Sequence, residues 1–279
     1  MKKLCDLHTH STFSDGTFTP EELISEAVKI GLSAITLCDH NTVEGIPRFL
    51  AAATNKQIEA VAGSEFSVDY NGKELHLLAM FIPSSYLSQI SELMFESNMR
   101  KEQNNINLIE TLQKNGYILD YDEIKNSTPM GKVNRAHIGA ALTKKGYTKS
   151  VNDAFSTLLS TDAGFYKAPE RPSVWDIIDF ILSINAIPVL AHPLLNLTKE
   201  QLKEFLPIAK QKGLVGMECK YCLYNEDEER FSLDIADSFG LKYSGGSDFH
   251  GSIKPDIALG IGKGNIQIPY ELYINLKNK

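Results

Sequence analysis

The stretch that decides the fold lies near the N-terminus and reads Asp6-Leu7-His8-Thr9-His10-Ser11-Thr12-Phe13-Ser14-Asp15-Gly16. It continues a short apolar run that predicts a strand ending at the two histidines. In an extended chain, side chains two residues apart point to the same face, so His8 and His10 are able to hold one ion between them. Asp15 follows on a loop that contains serine and glycine. A single histidine pair is weak evidence, but six of the seven histidines end or closely follow predicted strands.

Metal-type side chains recur along an alternating strand–helix pattern. Thr19-Pro20-Glu21-Glu22 is typical of a helix start, with threonine at the N-cap and glutamate three residues later. Strands are predicted over 33–38, 59–62, 74–80, 187–191, 214–219 and 242–246. The metal-type residues in or after them are His40, Glu65, His76, His192, Asp248 and His250. In a closed barrel the carboxyl ends of all strands face one mouth, so contributions from so many units favour a barrel over an open sheet.

One segment interrupts the alternation. From about 86 to 160 the apolar residues follow helical spacing with few β-branched runs, and the strand–helix pattern resumes with a helix that begins near Ser173. We therefore expect an α/β barrel built from residues 1–85 and 161–279, with 86–160 as a helical insertion over the active-site mouth. A chain of 279 residues with 43% hydrophobic residues is long enough for such a barrel.

The composition argues against several classes of protein. A net charge of −7 disfavours binding to long nucleic acid. No stretch approaches the roughly 18 apolar residues of a membrane span, and the N-terminus lacks the apolar core of a signal peptide, so we expect a cytoplasmic location. The four cysteines are Cys5, Cys38, Cys219 and Cys222. Their spacing suggests no disulfide framework, and one C-x-x-C pair does not complete a zinc site, so we expect reduced thiols.

Nine side chains form the candidate metal site. They are His8, His10, Asp15, His40, Glu65, His76, His192, Asp248 and His250. Nitrogen and oxygen donors without thiolate suit Mn, Fe or Zn better than Ca or Mg, and the sequence does not choose among the first three. Nine donors exceed the needs of one ion, so we expect two or three divalent ions, with a carboxylate such as Glu65 bridging two of them. Three ions would leave a local charge of about +3, which attracts an anionic phosphate to an acidic chain.

These ordered motifs resemble those of the PHP (polymerase and histidinol phosphatase) superfamily. They are His8-x-His10-Ser11-x-x-Ser14-Asp15-Gly16, Asp39-His40, Glu65, His76, Ala191-His192-Pro193 and Ser247-Asp248-x-His250. The resemblance covers nearly the whole chain and implies a distorted, TIM-like β/α barrel of seven strands with a trinuclear metal centre. It assigns one ion to His8, His10, Glu65 and Asp248, a second to Glu65, His76 and His192, and a third to Asp15, His40 and His250.

The same resemblance implies an enzyme that hydrolyses phosphate monoesters with a metal-activated hydroxide. The long helical segment between His76 and His192 resembles that of small bacterial phosphoesterases, so the expected reaction removes the 3′-phosphate of a nucleoside 3′,5′-bisphosphate. The alternatives are a 5′→3′ exonuclease on short oligonucleotides, a histidinol-phosphate-type phosphatase and, from another class, a non-catalytic sensor of phosphorylated ligands. The expected partners are therefore small phosphorylated molecules, with nucleotides first and short oligonucleotides second.

Five further residues are candidates beside the metal set. Asp39 either supports the ligands from behind or acts as a general acid, and Glu218 is either a rim residue or a substrate contact. Arg135 and His137 stand in an Arg-x-His-Ile sequence that resembles the family. They are predicted to clamp a substrate phosphate, because arginine suits bidentate phosphate contacts. Lys132 is a third candidate for this clamp.

Overall fold

The computed structural model describes residues 3–128 and 130–278. The strands of this part of the chain are β1 Leu4–Thr9, β2 Ala34–Leu37, β3 Glu59–Tyr70, β4 Lys73–Met80, β5 Ile187–Leu190, β6 Gly216–Tyr221, β7 Lys242–Gly246 and β8 Ile268–Pro269. Its α-helices are α1 Pro20–Lys29, α2 Ile46–Ala53, α3 Leu87–Lys114, α4 Tyr121–Ser127, α5 Arg135–Lys144, α6 Val151–Ser156, α7 Val174–Ser183, α8 Lys199–Gln211, α9 Glu226–Ser238 and α10 Tyr270–Lys277.

The strands form one sheet in the order β7-β6-β5-β4-β3-β2-β1-β8. Neighbours run parallel from β1 to β3 and from β5 to β7, whereas β4 lies antiparallel to both β3 and β5. The sheet curls until the residues after β7 reach the end of β1. There the backbone N–H of Asp248 donates to the carbonyl of His8, and that of His10 donates to the carbonyl of Phe249, both at 2.9 Å. The result is a nearly closed α/β barrel, as the sequence predicts.

Two details differ from the prediction. The sheet has eight strands instead of seven, because β8 pairs antiparallel with the start of β1 and, with two residues, is too short to leave a periodic pattern. The strand predicted over 59–62 also continues through Glu65 as the 12-residue β3. Gly63 allows β3 to lie close to β2, because a Cβ there would meet the carbonyl oxygen of Leu37 at 2.9 Å. Glu65 therefore lies within a strand, paired with Leu78 of β4.

Capping signals in the sequence explain where the outer helices begin. Thr19 caps α1 with Glu22 in a capping box, as predicted. Thr198 and Gln201 form the predicted capping box at the start of α8. In each case the threonine hydroxyl and the side chain three residues later satisfy backbone N–H groups that a helix start leaves without partners.

Two apolar clusters hold the barrel together. One packs the outer helices onto the strands and includes Leu23, Phe49, Ile178 and Phe205. The other joins residues of β1 to β6 with α10, through side chains such as Tyr273. Strands β2 and β5 are buried along their whole length, which is typical of strands covered on both faces. Both faces of these strands are therefore packed against other parts of the chain.

Helices α3 to α6 lie between β4 and α7 in the sequence and have an apolar cluster of their own. At the start of α3, Ile90 and Met94 belong to the barrel cluster. Further along the same helix, Leu108 and Leu112 belong to a separate cluster shared with α4, α5 and α6. We propose on this basis that 86–160 is an insertion into a barrel formed by 1–85 and 161–279.

Asp6 fastens the two strands that close the barrel. Its carboxylate accepts hydrogen bonds from the Ser247 backbone N–H at 2.9 Å, the Ser247 hydroxyl at 2.5 Å and the Gly260 backbone N–H at 2.8 Å. The side chain is completely buried. One carboxylate of β1 thus holds two segments that follow β7.

We expect Asp6→Ala to lower the free energy of unfolding by about 2–6 kcal/mol, because two buried N–H groups lose their acceptor at about 1–3 kcal/mol each. Urea unfolding followed by circular dichroism measures the change. Asp256→Ala removes an exposed carboxylate and serves as the control. If the two variants unfold at the same urea concentration, Asp6 does not fasten the barrel.

Candidate metal centre

The nine side chains predicted as ligands lie in one cluster where the strands meet. His8 is part of β1, Glu65 of β3 and His76 of β4, and the other six follow β1, β2, β5 and β7. Seven of the nine are buried, and His40 and His76 are the most open, with side-chain exposures of 15% and 17%. The barrel therefore brings together residues that are up to 242 positions apart in the sequence, from His8 to His250.

Four donor atoms face one another at the centre of the cluster, the Nε2 atoms of His8 and His10, Oε2 of Glu65 and Oδ1 of Asp248. The two nitrogens are 3.0 Å apart, and they lie 3.2 and 3.3 Å from Glu65. Asp248 lies 3.1 Å from His10 and 3.7 Å from His8. A tetrahedral ion bound at about 2.0–2.1 Å separates its ligand atoms by about 3.3 Å. The atoms of His8, His10 and Glu65 therefore lie close enough together to hold one ion, and Asp248 lies beside the two histidines.

The Glu65 carboxylate divides its two oxygens between different groups of imidazoles. Oε1 lies 2.8 Å from Nδ1 of His76 and 2.9 Å from Nε2 of His192. Oε2 faces His8 and His10 and lies 3.1 Å from Nδ1 of His40. A carboxylate with one oxygen toward each of two donor groups has the geometry of a bridging ligand.

A third group forms around Asp15. Its Oδ1 lies 3.3 Å from Nε2 of His250, and its Oδ2 lies 3.8 Å from Nε2 of His40. His10 joins the same group, with Nδ1 3.9 Å from Oδ1 of Asp15. His40 faces Asp15 with one ring nitrogen and Glu65 with the other, so it lies between two donor groups rather than in one.

The polar atoms of the cluster fit divalent cations. Oδ1 of Asp15 and Oε2 of Glu65 are buried without a hydrogen-bond donor among the described residues, and such atoms are costly unless a cation or donor satisfies them. Burial alone raises the pKa of Glu65, but the His76, His40 and His8 rings outweigh it and hold that pKa well below its usual range. Burial likewise raises the pKa of Asp15, and His40 and His250 more than reverse the effect. Both carboxylates are therefore charged.

Two carboxylates, Glu218 and Asp39, hydrogen-bond to residues of the cluster and to the loop that follows β1. The Nδ1 of His8 donates to Glu218 at 3.0 Å, which leaves Nε2 to face the donor group, and Glu218 also accepts from the His192 backbone N–H at 2.8 Å. Asp39 accepts from the Ser11 backbone N–H at 2.8 Å and from the hydroxyls of Ser11 and Ser14 at 2.6 Å. Glu218 therefore orients a ring of the cluster, and Asp39 holds the loop that follows β1, as residues behind metal ligands commonly do. Neither Glu218 nor Asp39 lines the cavities beside the cluster.

Backbone strain is concentrated beside the same atoms. His192, Asp248 and Asn41 adopt positive φ angles of 25°, 54° and 51°. This conformation costs free energy for a non-glycine residue, so the surrounding structure has to enforce it. Such strained residues cluster at functional sites.

Arg135 lies in a cavity that opens from the cluster, together with residues that the sequence did not single out. Its Nη2 lies 2.9 Å from Oε2 of Glu74, which also pairs with Nη2 of Arg171 at 2.7 Å. The Arg135 guanidinium stacks on the Tyr166 ring, 4.3 Å from its centroid. The amine of Lys101 lines the same cavity. Glu74, Arg171 and Lys101 carry no motif, and the one available signal was that Glu74 stands two residues before His76 on the same face of a strand.

Neither of the other two predicted clamp residues lines the cavity that holds Arg135. Lys132 pairs with Glu44 at 2.6 Å and lines a second cavity. The Nδ1 of His137 accepts the Asn134 backbone N–H at 3.0 Å and so caps α5. Burial lowers the pKa of His137, so this ring is neutral near pH 7. Of the three predicted residues, Arg135 has the most direct position beside the cluster.

The cysteines do not contribute to the cluster. All four are free and buried. Burial raises the pKa of the Cys222 thiol to about 12 and raises those of Cys5, Cys38 and Cys219 further still, so none is a thiolate at neutral pH.

No helix in the described part of the chain is long and apolar enough to cross a membrane.

Comparison with known proteins gives matches over most of the chain. The PHP domain family model matches residues 6–184. A 5′-3′ exoribonuclease of Haemophilus influenzae is 31% identical over 251 residues, which cover 90% of this chain and 91% of that protein. A 3′,5′-nucleoside bisphosphate phosphatase of Chromobacterium violaceum is 26% identical over 248 residues, with 88% and 86% covered. A solved structure from Bifidobacterium adolescentis, described as a candidate metal-dependent phosphoesterase, superposes with a TM-score of 0.85 at 25% identity and covers 98% of this chain and 95% of that one.

We expect metal-depleted protein to gain thermal stability when Mn²⁺ or Zn²⁺ is added, because the ions bind the folded state. Binding at 100 times the dissociation constant adds about 2.7 kcal/mol per site. Glu65→Ala should lose much of this gain and retain fewer ions per chain by plasma mass spectrometry. Glu96→Ala, whose side chain is 81% exposed, is the control. Equal ion content in Glu65→Ala and wild type would remove Glu65 from the metal site.

Proposed function

The chain belongs to the PHP domain family and is a phosphoesterase, and we propose that it hydrolyses the ester bond at O3′ of a nucleotide that carries a 5′-phosphate. The simplest substrate of this kind is a nucleoside 3′,5′-bisphosphate, which yields a nucleoside 5′-monophosphate and inorganic phosphate. In this proposal, the nine-residue cluster binds two or three divalent ions. Arg135 and Arg171 form the second anion site.

The observation that carries this proposal is a cavity with two different anion-binding ends. One end is formed by Asp15, His40, His76 and His250 of the cluster, and the other by Arg135, Arg171 and Lys101. Glu74 lies between them, because its Oε2 contacts both arginines while its Oε1 lies 3.5 Å from Nε2 of His76. The Glu74 carboxylate alone separates the two ends, which are therefore several ångströms apart. A monophosphate ester would need only the first end, whereas a bisphosphate uses both.

The arginine end is suited to a terminal phosphate. Arg135 and Arg171 have side-chain exposures of 25% and 8%, so their charges are partly removed from water. Two guanidinium groups face a single carboxylate here, which leaves a net charge of about +1 for an incoming dianion. Lys101 lines the same cavity, although burial lowers the pKa of its amine. Arginine donates in a fixed fork that matches phosphate oxygens, and Tyr166 keeps the Arg135 plane in place.

The cluster end is suited to the reacting phosphate. Divalent ions bound there would supply a water nucleophile at neutral pH and offset the charge that develops on the phosphate oxygens. Glu218 fixes the ring of His8, and the amine of Lys254 contacts Oδ2 of Asp248 at 2.7 Å. Lys254 also lines the cavity, so it adds positive charge beside the reacting phosphate. The fixed orientation of these groups reduces the reorganisation that the reaction requires.

The relatives support two kinds of nucleotide substrate, a single nucleotide and an RNA chain. The bisphosphate phosphatase of C. violaceum carries the smaller substrate in its name, and the exoribonuclease of H. influenzae acts on RNA from its 5′ end. In a 5′-phosphorylated oligonucleotide, the bond at O3′ of the first nucleotide is the same bond that is broken in the bisphosphate. A 5′→3′ exonuclease is therefore the second candidate, favoured by a further cavity that also opens at His40. Among residues 3–128 and 130–278, no contact favours the histidinol-phosphate alternative, and the sensor alternative does not fit a phosphoesterase.

We expect Arg135→Ala to lower kcat/KM for a nucleoside 3′,5′-bisphosphate by about 10- to 150-fold and to leave a chromogenic phosphate monoester nearly unchanged. The loss of one charge-assisted phosphate contact costs about 1.5–3 kcal/mol. Phosphate release in the presence of Mn²⁺ measures both rates. Arg100→Ala, an arginine with a side-chain exposure of 44%, is the matched control. An equal fall for both substrates would show that Arg135 does not hold the second phosphate.

A further inference from the structure

A second cavity of about 440 Å³ lies beside His40 of the cluster. It runs between one face of α3 and the loops that follow β1 and β2, and residues 130–134 also line it. Its volume is in the range of about 300–1,000 Å³ that small-molecule sites occupy. Four residues line both cavities, namely His40, Asn41, Lys101 and Asn134. The two cavities therefore meet beside one metal-type residue, His40.

Large apolar side chains are exposed inside this second cavity. Phe95, Met99 and Met130 have 64%, 54% and 43% of their surfaces exposed, and all three line it. Phe95 and Met99 are one helical turn apart on α3, so they present one continuous apolar face. Exposed apolar side chains grouped in a groove beside an active site are typical of a binding surface.

Four charged groups of the second cavity form two ion pairs, and Lys101, which also lines the first cavity, adds a further cation. Lys132 pairs with Glu44 at 2.6 Å, and Lys125 pairs with Glu102 at 2.7 Å. All four charged groups line the cavity. No arginine is among its lining residues within the described part of the chain, in contrast to the pair in the first cavity. Away from Lys101, at Phe95, Met99 and Met130, the second cavity thus suits a flat, uncharged group with an apolar face, whereas the first suits a terminal phosphate.

We propose that the second cavity binds the nucleoside on the 3′ side of the scissile phosphate, with its base against Phe95. This inference rests on the proposed function, which puts the 5′-phosphate at Arg135 and Arg171 and the reacting phosphate at the cluster. A dinucleotide that starts in the first cavity has to pass the cluster at His40, and its second nucleoside then enters the second cavity.

The reaction is the same hydrolysis with a larger group on phosphorus. The oxygen of water forms a bond to the phosphorus between the two nucleosides, and the bond from that phosphorus to O3′ of the first nucleoside breaks. O3′ takes up one proton and becomes a hydroxyl. The products are the first nucleoside 5′-monophosphate and the second nucleoside, which keeps the phosphate on its own 5′ oxygen.

The test compares adenosine 3′,5′-bisphosphate with the 5′-phosphorylated diadenosine dinucleotide in the metal-loaded enzyme. Stacking of one base on an aromatic side chain is worth about 5- to 150-fold in binding. We expect Phe95→Ala to lower kcat/KM for the dinucleotide by about that factor and to change the bisphosphate less than about two-fold. Phe95→Trp should retain dinucleotide hydrolysis because it keeps an aromatic face. Ile118→Ala, an apolar side chain that is 72% exposed and outside both cavities, is the matched control.

Each other outcome overturns the subsite. If Phe95→Ala leaves both substrates unchanged, or lowers both equally, the second cavity does not bind the second nucleoside, while the proposed function stands. If the wild-type enzyme hydrolyses the bisphosphate and leaves the dinucleotide intact, the subsite is wrong and the first cavity alone defines the substrate. If the wild-type enzyme hydrolyses neither substrate, the proposed function fails and the subsite fails with it.

Discussion

The carboxylate of Glu65 is the group on which the site depends. It is fully buried in the middle of a strand, and five imidazoles lie within 3.3 Å of its two oxygens. A buried carboxylate is stable only when charge or hydrogen bonds compensate for lost water, so those five side chains have to approach from several directions at once. A curled sheet allows this, because β2 and β4 flank β3 and the next strands beyond them are β1 and β5.

Much of this arrangement could be predicted because strands impose simple geometry. Alternation along β1 puts His8 and His10 on one face, and the carboxyl ends of successive parallel strands meet at one mouth, so the nine metal-type residues could be expected together from their positions alone. The prediction was less accurate where pairing depended on distant partners. The two-residue β8 and the continuation of β3 through Glu65 both arise from contacts with other strands rather than from local pattern.

The proposed substrate side of the site is harder to predict, for a physical reason. Arg135, Arg171 and Lys101 come from three separate segments and meet only after the helices α3 to α6 pack against the barrel. Each residue alone looks like an ordinary solvated cation. Lys132 illustrates the limit, because it is three residues from Arg135 but lies before the start of α5 and faces a different cavity. Spacing identifies a shared face only within one regular element.

Glu74 connects the two halves of the site. Its strand carries His76 on the same face two residues later, so the carboxylate that holds both arginines is fixed to the strand that carries a metal-type residue. Burial raises the pKa of Glu74, but its hydrogen bond with His76 and the charge of Arg135 outweigh burial and hold that pKa far below its usual range, so Glu74 keeps its negative charge. A phosphate that enters the cavity therefore meets two guanidinium groups already turned toward an anion. Because the arginines are oriented before the substrate arrives, less conformational entropy is lost on binding.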